Sequence, residues 1–260
     1  MILYNTLTRN KEELNQKNIN MYVCGVTVYD RPHLGHALST VTFDVLHRYL
    51  EYKGFIVKRV QNFTDVDDKI INKSKELKIS PKDVAEKYIE SFFEDMDALG
   101  VRRADVHPRA TEDMKEIIEL IANLIEKKAA YVSNGSVYFD VSYASDYGKL
   151  SRRNLEEEIG GTRIDNDPDK FKAADFALWK KAPENETHWD SPWGIGRPGW
   201  HIECSAMVRK HLGETIDIHG GGLDLIFPHH ENEIVQSESA TNAKPFAKLW
   251  VHNGLLKRSG

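Results

Sequence analysis

Two apolar runs on either side of an amphipathic segment constrain the fold of this chain most strongly. Met21–Cys24 predicts a short buried strand, and a second strand is predicted to begin at Phe55 and end near Val60. Between them, apolar residues recur at helical spacing, and Gly54 predicts the end of that helix. Strand, helix and strand within about forty residues form a βαβ unit, which implies a parallel sheet with a right-handed crossover.

Polar groups follow the expected carboxyl ends of both strands, where open α/β sheets bind their ligands. Gly25–Asp30 is predicted to leave the first strand as a loop, and Asn62–Asp68 follows the second strand. The segment His33–His36 enters the helix, whose N-terminal N–H groups and dipole favour a phosphate. Gly35 would let the backbone approach that phosphate, and the two histidines could donate hydrogen bonds to it. Taken alone, two histidines around a glycine also fit ordinary surface positions.

The stretch from Gly199 to Glu233 holds the densest set of metal-capable side chains. Its beginning predicts a short helix that ends at Gly213, and Thr215–His219 then alternates like a strand. Three glycines follow at the predicted end of that strand, where the backbone can approach a ligand closely. A second helix is predicted from near Pro228, because proline suits a first helical turn.

His229 and Glu233 are four residues apart on this second predicted helix, so both side chains project from one face. With Cys204 from the neighbouring element they offer an imidazole, a carboxylate and a thiolate, a zinc set that lacks one ligand. The alternative is an exposed helical pair together with a cysteine that is only part of the core. The residues of this stretch alone leave both interpretations open.

Composition narrows the class of protein but not its activity. The chain has 260 residues, 40% hydrophobic and 29% charged, which suits one large domain or a domain with an insertion. No apolar run is long enough to span a membrane, and the N-terminus is too polar and acidic for a signal peptide. Two cysteines do not suggest a disulfide framework, so we expect a cytoplasmic protein. A net charge of −5 gives no support for nucleic-acid binding beyond a local basic patch.

The middle of the chain predicts a different kind of structure. Amphipathic helices are predicted over residues 81–99 and 111–128, and Asn134-Gly135 signals a hairpin between Tyr131 and Val141. Residues 150–172 are polar and are predicted to be rich in loops.

An insertion between two halves of one α/β sheet explains this order. We assign residues 1–99 to the first half, 100–190 to the insertion and 191–260 to the second half. The second half ends with a strand predicted near Leu249–His252.

Six segments carry a specific pattern: MYVCGVTVYD, HLGHA, QNFTDVDDKII, FALWK, GRPGWHIECSAM and HGGGLDLIFPHHENE. In the same order they resemble the cysteinyl-tRNA synthetases, a family of class I aminoacyl-tRNA synthetases, and HLGH is here the form of the HIGH signature. The resemblance covers nearly the whole chain. It implies an α/β fold, a Rossmann-like doubly wound parallel sheet with an inserted connective α+β segment.

The resemblance also implies a complete zinc site. In the family, zinc is held by two cysteines, a histidine and a glutamate, at the positions of Cys24, Cys204, His229 and Glu233. We expect one zinc per chain, which would separate cysteine from serine because zinc favours a thiolate and a serine hydroxyl does not coordinate comparably. The sulfur of the substrate is expected to take an open zinc position.

The activity implied is the ATP-dependent activation of L-cysteine to cysteinyl-adenylate and its transfer to tRNA(Cys). His33 and His36 are expected to stabilise charge as the cysteine carboxylate attacks the α-phosphate of ATP, which Mg²⁺ accompanies. The partners implied are thus L-cysteine, ATP and tRNA(Cys), bound by a monomer without membrane contact.

Further residues carry over from the resemblance by position. The cysteine pocket is expected to be lined by Gly25, Thr27, Thr64, Trp200 and His219. The ATP site is expected to comprise His33, Gly35 and His36 with Gly220, Gly222 and Asp224. We interpret the acidic residues Asp65, Asp67 and Asp68 as a cluster at a helix N-terminus rather than as metal ligands.

The sequence departs from the family pattern in two places. Val26 stands where the family commonly has proline, which costs some loop rigidity. The KMSKS loop and a helical anticodon-binding region are expected beyond the segment that matches His252–Leu256, and neither Lys257 nor Arg258 has a KMSKS context. We therefore expect this chain to be a catalytic-core portion, with weak adenylate formation at best and little tRNA charging.

Three rival interpretations remain. The ligase that joins cysteine to a glucosamine-inositol in mycothiol synthesis shares the zinc site, but TVYD and FPHHENEIVQSE resemble the tRNA synthetase more. A non-catalytic cysteine- or tRNA-binding module would show no cysteine-dependent exchange of pyrophosphate into ATP. A simple nucleotidyltransferase that uses HxGH alone would leave the zinc set unexplained.

Overall fold

A computed structural model describes residues 1–153 and 168–256, so Lys257, Arg258 and most of the polar segment 150–172 lie outside the described residues. The described strands are β1 (Ile2–Asn5), β2 (Asn10–Glu13), β3 (Asn18–Thr27), β4 (Ile56–Thr64), β5 (Ala130–Ser133), β6 (Ser136–Phe139), β7 (Phe176–Lys181), β8 (Gly196–Pro198), β9 (Ile216–Gly222) and β10 (Ala247–Asn253). The described helices are α1 (Leu34–Tyr52), α2 (Asp68–Leu77), α3 (Pro81–Ala98), α4 (Met114–Glu126), α5 (Trp200–His211) and α6 (Glu231–Thr241).

A parallel sheet with the strand order β10-β9-β3-β4 forms the centre of the fold. Beside β4, the backbone at Val106 and Arg109 makes two further parallel bridges, to Val60 and Phe63. Counted from that edge, the five neighbouring segments come third, second, first, fourth and fifth along the chain. This is the strand order of a doubly wound sheet. The order reverses between β3 and β9, and this confirms the α/β fold that the βαβ pattern predicted.

Alternating side chains of β3 build two cores on opposite faces of this sheet. Met21 and Val23 pack with Phe43 of α1 on one face. Tyr22 and Cys24 pack on the other face, in a core that includes residues of α5 and α6. Because Cβ direction alternates along a strand, Cys24 is directed toward the α5 and α6 side.

Three strands extend further than their sequence patterns predicted. β3 continues through Gly25 to Thr27, β4 includes Asn62–Thr64, and β9 includes Gly220–Gly222, which pair with β10. The loop predicted over Gly25–Asp30 was thus wrong for its first three residues. A parallel ladder is formed by backbone groups, so neighbouring strands can hold residues that have little strand propensity of their own.

The second sheet is antiparallel, in the order β5-β6-β7-β8, and lies in the chain between β4 and β9. The predicted hairpin turn is present, with positive φ angles of 48° at Asn134 and 85° at Gly135. This sheet packs with α4, α5 and α6 around one hydrophobic core. The predicted boundaries of the insertion, at residues 100 and 190, stay a prediction.

The ends of the helices follow the sequence signals. Gly54 and Gly213 have φ angles of 89° and 103° just beyond α1 and α5. Before α6, Phe227 is extended and precedes Pro228, so the helical backbone starts close to where the proline predicted it. No described helix has both the length and the apolar character needed to cross a bilayer.

Candidate active site

Four buried metal-capable side chains meet where β3 ends. Cys24 comes from β3, Cys204 from the first half of α5, and His229 and Glu233 from the turn and helix that follow β9. Their four ligand atoms all lie within 4.8 Å of one another. The structure therefore brings together the three candidates of the Gly199–Glu233 stretch and the distant Cys24.

The spacing of these atoms fits a tetrahedral zinc site. With Zn–S near 2.3 Å and Zn–N or Zn–O near 2.0 Å, tetrahedral geometry puts sulfurs about 3.8 Å apart, sulfur and nitrogen about 3.5 Å apart, and nitrogen and oxygen about 3.3 Å apart. The two sulfurs are 3.9 Å apart, and Cys204 Sγ lies 3.6 Å from His229 Nε2. Glu233 Oε1 lies 3.1 Å from His229 Nε2 and 3.3 Å from Cys24 Sγ.

The electrostatics of the set also suit a cation. The hydrogen bond from Cys24 lowers the pKa of the Cys204 thiol to about 6, against the opposing effect of burial. Burial raises the pKa of Cys24, so Cys204 is the more readily ionised thiol. Burial would raise the pKa of Glu233, but His219 and His229 hold it well below its usual range. A thiolate and a carboxylate in one buried place favour a divalent cation.

His229 is the group that balances this negative charge in the protein itself. Burial opposes its charged form, yet Glu233 and Cys204 outweigh burial and raise the pKa of His229 to about 10. An imidazole coordinates a metal only in its neutral form, so a bound cation would replace the proton on His229 Nε2.

Two tryptophans stack on histidine rings at this site. The indole of Trp200 stacks on His229, with the ring centroids 4.3 Å apart, and Trp250 stacks on His219 at the same distance. Trp200 is 42% exposed, so the donor set is covered by a side chain that is itself open to a ligand.

His219 lies deeper than its predicted place in a cysteine pocket suggests. Its side chain is fully buried, and Nε2 lies 2.9 Å from Glu233 Oε2. Within the described residues, His219 Nδ1 has no hydrogen-bond partner. His219 therefore orients the carboxylate of Glu233, and its predicted contact with an amino acid stays a prediction.

Sequence reasoning missed a second donor group, which comprises Cys24, His219, His230 and Glu233. His230 Nδ1 lies 2.8 Å from His252 Nε2, and His252 Nδ1 lies 2.8 Å from Thr6 Oγ1. The consecutive histidines of FPHHENE were a signal for His230. No pattern pointed to Thr6, which reaches this place from the loop between β1 and β2.

Two of the predicted cysteine-pocket residues, Gly25 and Thr64, contact side chains that lie beside the donor set. The N–H of Gly25 donates to Asn62 Oδ1 at 2.8 Å, and Thr64 Oγ1 lies 3.2 Å from Glu203 Oε2. A Cβ on Gly25 would lie 1.6 Å from the backbone oxygen of Asn62, so the close approach of the strands requires glycine. Asn62 and Glu203 were not predicted as site residues. Thr27 is the last residue of β3.

The two histidines of the HLGH segment accept hydrogen bonds from the segment's own backbone at the start of α1. His33 Nδ1 accepts from the backbone N–H groups of Gly35 and His36, and His36 Nδ1 accepts from the N–H of His33. A phosphate was predicted to bind these amide groups, but the side chain of His33 already accepts from them and caps the helix. Because both Nδ1 atoms accept, each neutral ring carries its proton on Nε2 and can donate from there.

The two rings of this segment form a stacked pair, with centroids 3.7 Å apart. Burial, and then the charge of His33, lower the pKa of His36 to about 4, while Asp224 opposes this shift. His36 is thus neutral at pH 7 and offers a hydrogen bond rather than a full charge. Asp224, one of the predicted adenosine residues, is close enough to the HLGH segment to raise the pKa of His36.

The predicted adenosine glycines differ in what surrounds them. A Cβ on Gly220 would lie 2.3 Å from the ring of Phe43, so its missing side chain makes room for α1. A Cβ on Gly222 would meet Asp224 Oδ1, also at 2.3 Å. Gly222 thus borders Asp224, another predicted adenosine residue; contact of either glycine with adenosine stays a prediction.

The three acidic residues after β4 have separate partners in the protein. Asp67 caps α2 by accepting from the N–H of Lys69. Asp65 accepts from the N–H and hydroxyl of Thr111, and Asp68 pairs with Arg197.

Comparison with known proteins adds to this geometry. A family model described as the class I (C) tRNA synthetase catalytic domain matches residues 10–260. The chain belongs to this family. Curated cysteine–tRNA ligases are similar to it: that of Carboxydothermus hydrogenoformans is 58% identical over 98% of this chain and 56% of its own length. That of Aquifex aeolicus is 56% identical over 99% of this chain and 52% of its own length. The chain spans about half the length of these relatives.

A solved structure agrees on the fold. Methionyl-tRNA synthetase of Mycobacterium tuberculosis, in complex with methionyl-adenylate, superposes with a TM-score of 0.67 over 92% of this chain and 57% of its own. At 14% identity this likeness supports the architecture alone. The family model and the curated relatives confirm the resemblance to the cysteinyl-tRNA synthetases that the six segments indicate.

Proposed function

We propose that this chain activates L-cysteine with ATP, and that the whole protein is a cysteine–tRNA ligase that transfers the cysteinyl group to tRNA(Cys). The observation that carries the proposal is the buried set of Cys24, Cys204, His229 and Glu233 at the carboxyl end of the central parallel sheet. The similarity to curated cysteine–tRNA ligases, one of them 58% identical, supports the same choice.

The donor set would hold one Zn²⁺. Bound there, Zn²⁺ would accept the sulfur of the substrate as a thiolate and so favour cysteine over serine. Trp200 and Thr64 border this place and would enclose the amino acid, while His219 keeps Glu233 in its ligating orientation.

The chemistry proposed for HLGH is in-line displacement. A carboxylate oxygen of cysteine attacks the α-phosphorus of ATP, and pyrophosphate leaves, with Mg²⁺ on the ATP phosphates. The Nε2–H groups of His33 and His36 would donate to the phosphate oxygens on which charge develops. Neutral rings suffice for this role, since it depends on positioned hydrogen bonds rather than on proton transfer.

The adenosine would lie along the end of β9. Gly222 and Asp224 border that end, and Asp224 already acts electrostatically on His36. We propose that the Asp224 carboxylate accepts from ribose hydroxyl groups.

The two cysteine thiols indicate that the protein works in a reducing compartment. Cys24 and Cys204 are free and buried, with sulfurs 3.9 Å apart, and oxidation to a disulfide would destroy the donor set. We propose a monomeric protein of the reducing cytoplasm.

The test is pyrophosphate exchange into ATP by the chain loaded with zinc, with cysteine or serine as the amino acid. We expect weak exchange with cysteine and none with serine, and loss of the cysteine-dependent exchange in Cys24→Ser. Equal exchange with both amino acids, or exchange that survives Cys24→Ser, would refute the role given to the donor set. Failure to charge tRNA(Cys) would concern only the whole-protein part of the proposal.

A further inference from the structure

A second histidine lies directly behind one of the proposed zinc ligands. His201, in the first turn of α5, has its Nδ1 atom 2.8 Å from Nδ1 of His229. His229 points its other nitrogen, Nε2, at Cys204 and Glu233. The His229 ring therefore joins two different partners through its two nitrogen atoms.

The Nδ1 atoms of His201 and His229 face each other and cannot both carry a proton. If His229 Nε2 binds a cation, its lone pair faces the donor set and its proton must be on Nδ1. That Nδ1–H then points at His201 Nδ1, which must accept. His201 in turn carries its own proton on Nε2.

His201 is held where it can serve as this acceptor. Its backbone oxygen accepts from Gln236 Nε2 at 2.6 Å, and the same amide donates to Ser205. The rings of Phe176 and His201 make a T-shaped contact, with centroids 5.5 Å apart. Helix α6 thus holds the backbone of His201 and strand β7 packs against its ring, although no sequence pattern singled this residue out.

We propose that His201 is a positioning residue that fixes the Nδ1–H tautomer and the ring orientation of His229, so that Nε2 is presented to the metal. The inference rests on the proposed function, because it takes the donor set to be a zinc site. Outer partners of this kind commonly change metal affinity by about 10- to 100-fold when removed. In most zinc sites the partner is a carboxylate or a carbonyl; here it is a neutral imidazole.

Two variants separate a hydrogen-bonding role from a packing role. Asn at position 201 offers an amide oxygen near the place of His Nδ1, whereas Leu offers comparable apolar volume and no acceptor. His188→Asn is the matched control, since the Nδ1 of His188 contacts the backbone oxygen of nearby Glu186. The assay is competition for zinc between the 260-residue chain and a chelator, with circular dichroism to verify the fold of every variant.

We expect zinc affinity to fall about 10- to 100-fold in His201→Leu and to change by less than about threefold in His201→Asn and His188→Asn. A packing role predicts the reverse order, with Leu tolerated better than Asn, and this order or equal losses in both variants would overturn the inference. If the unaltered chain bound no zinc, the inference and the metal part of the proposed function would both fall.

A direct measurement covers the case in which the leucine variant does not fold. In ¹⁵N spectra of the unaltered zinc-bound chain, we expect the proton of His229 on Nδ1, with His201 Nδ1 unprotonated. A zinc-bound His229 with its proton on Nε2, or a proton on His201 Nδ1, would overturn the inference while the zinc site stands.

Discussion

The substitution Gly220→Ala tests whether core packing, rather than a bound ligand, requires glycine directly after His219. Gly220 lies inside β9, paired with Val251 and Val23, and faces α1. A Cβ there would lie 2.3, 2.6 and 3.0 Å from three ring atoms of Phe43. Ordinary carbon contacts are about 3.5–4.0 Å, so the ring would have to retreat by about 1 Å.

The magnitude follows from where that ring is. Phe43 is 1% exposed and lies in the core between α1 and the sheet, so it has no free space to enter. Overpacking of a close-packed core costs about 1–3 kcal/mol. For a chain of this size that corresponds to a fall in Tm of roughly 2–6 °C.

Urea denaturation of the metal-free chain measures the effect. Gly254→Ala is the control, because a Cβ at Gly254 would have no neighbour within 4 Å. Phe43→Leu removes the ring atoms that the new methyl group would meet, so the double variant should be less destabilised than the sum of the singles by at least about 1 kcal/mol. Strict additivity, or a Gly220→Ala chain within about 0.5 kcal/mol of the unaltered one, would refute the packing explanation.

Three further predictions follow from the structure. Cys204→Ser should weaken zinc binding at least about tenfold in chelator competition, because a hydroxyl is a poorer ligand than a thiolate. Burial lowers the pKa of His107 to about 4, and its Nε2 accepts from the N–H of Ala104. The unfolded chain takes up that proton near pH 6.5, so stability should fall as the pH drops from about 6.5 toward 4, and His107→Gln should lessen that slope in urea denaturation. Gly135→Ala should cost about 1–2 kcal/mol relative to Gly254→Ala, because φ at Gly135 is 85°.

Secondary structure was predictable where the pattern of apolar residues extends over many positions. The spacing of apolar residues along α1, α3 and α4 gave helices whose ends agree with the structure to within a few residues. Strand ends were less predictable. Gly25 and Gly220 have no strand preference of their own, and they are in strands because neighbouring backbones pair with them.

The HLGH segment shows a second limit of sequence reasoning. Two histidines at a helix N-terminus indicated a phosphate site, and that site stays a prediction. The sequence could not show that His33 caps its own helix, because the cap depends on the φ and ψ angles of His33 and on its side-chain rotamer. That cap is what leaves the Nε2 atoms as the donors.

The sequence by itself determined the βαβ order, the hairpin turn, the helix ends marked by glycine, the donor types and, through six motifs, the family. Those are properties of short segments, and segment patterns carry them without regard to distant residues. Only the tertiary structure placed Cys24 beside Cys204, and put His201 and His219 behind the proposed ligands His229 and Glu233. It also placed the ring of Phe43 against Gly220. These contacts join residues from separate elements, so their distances depend on how the sheet and helices pack together.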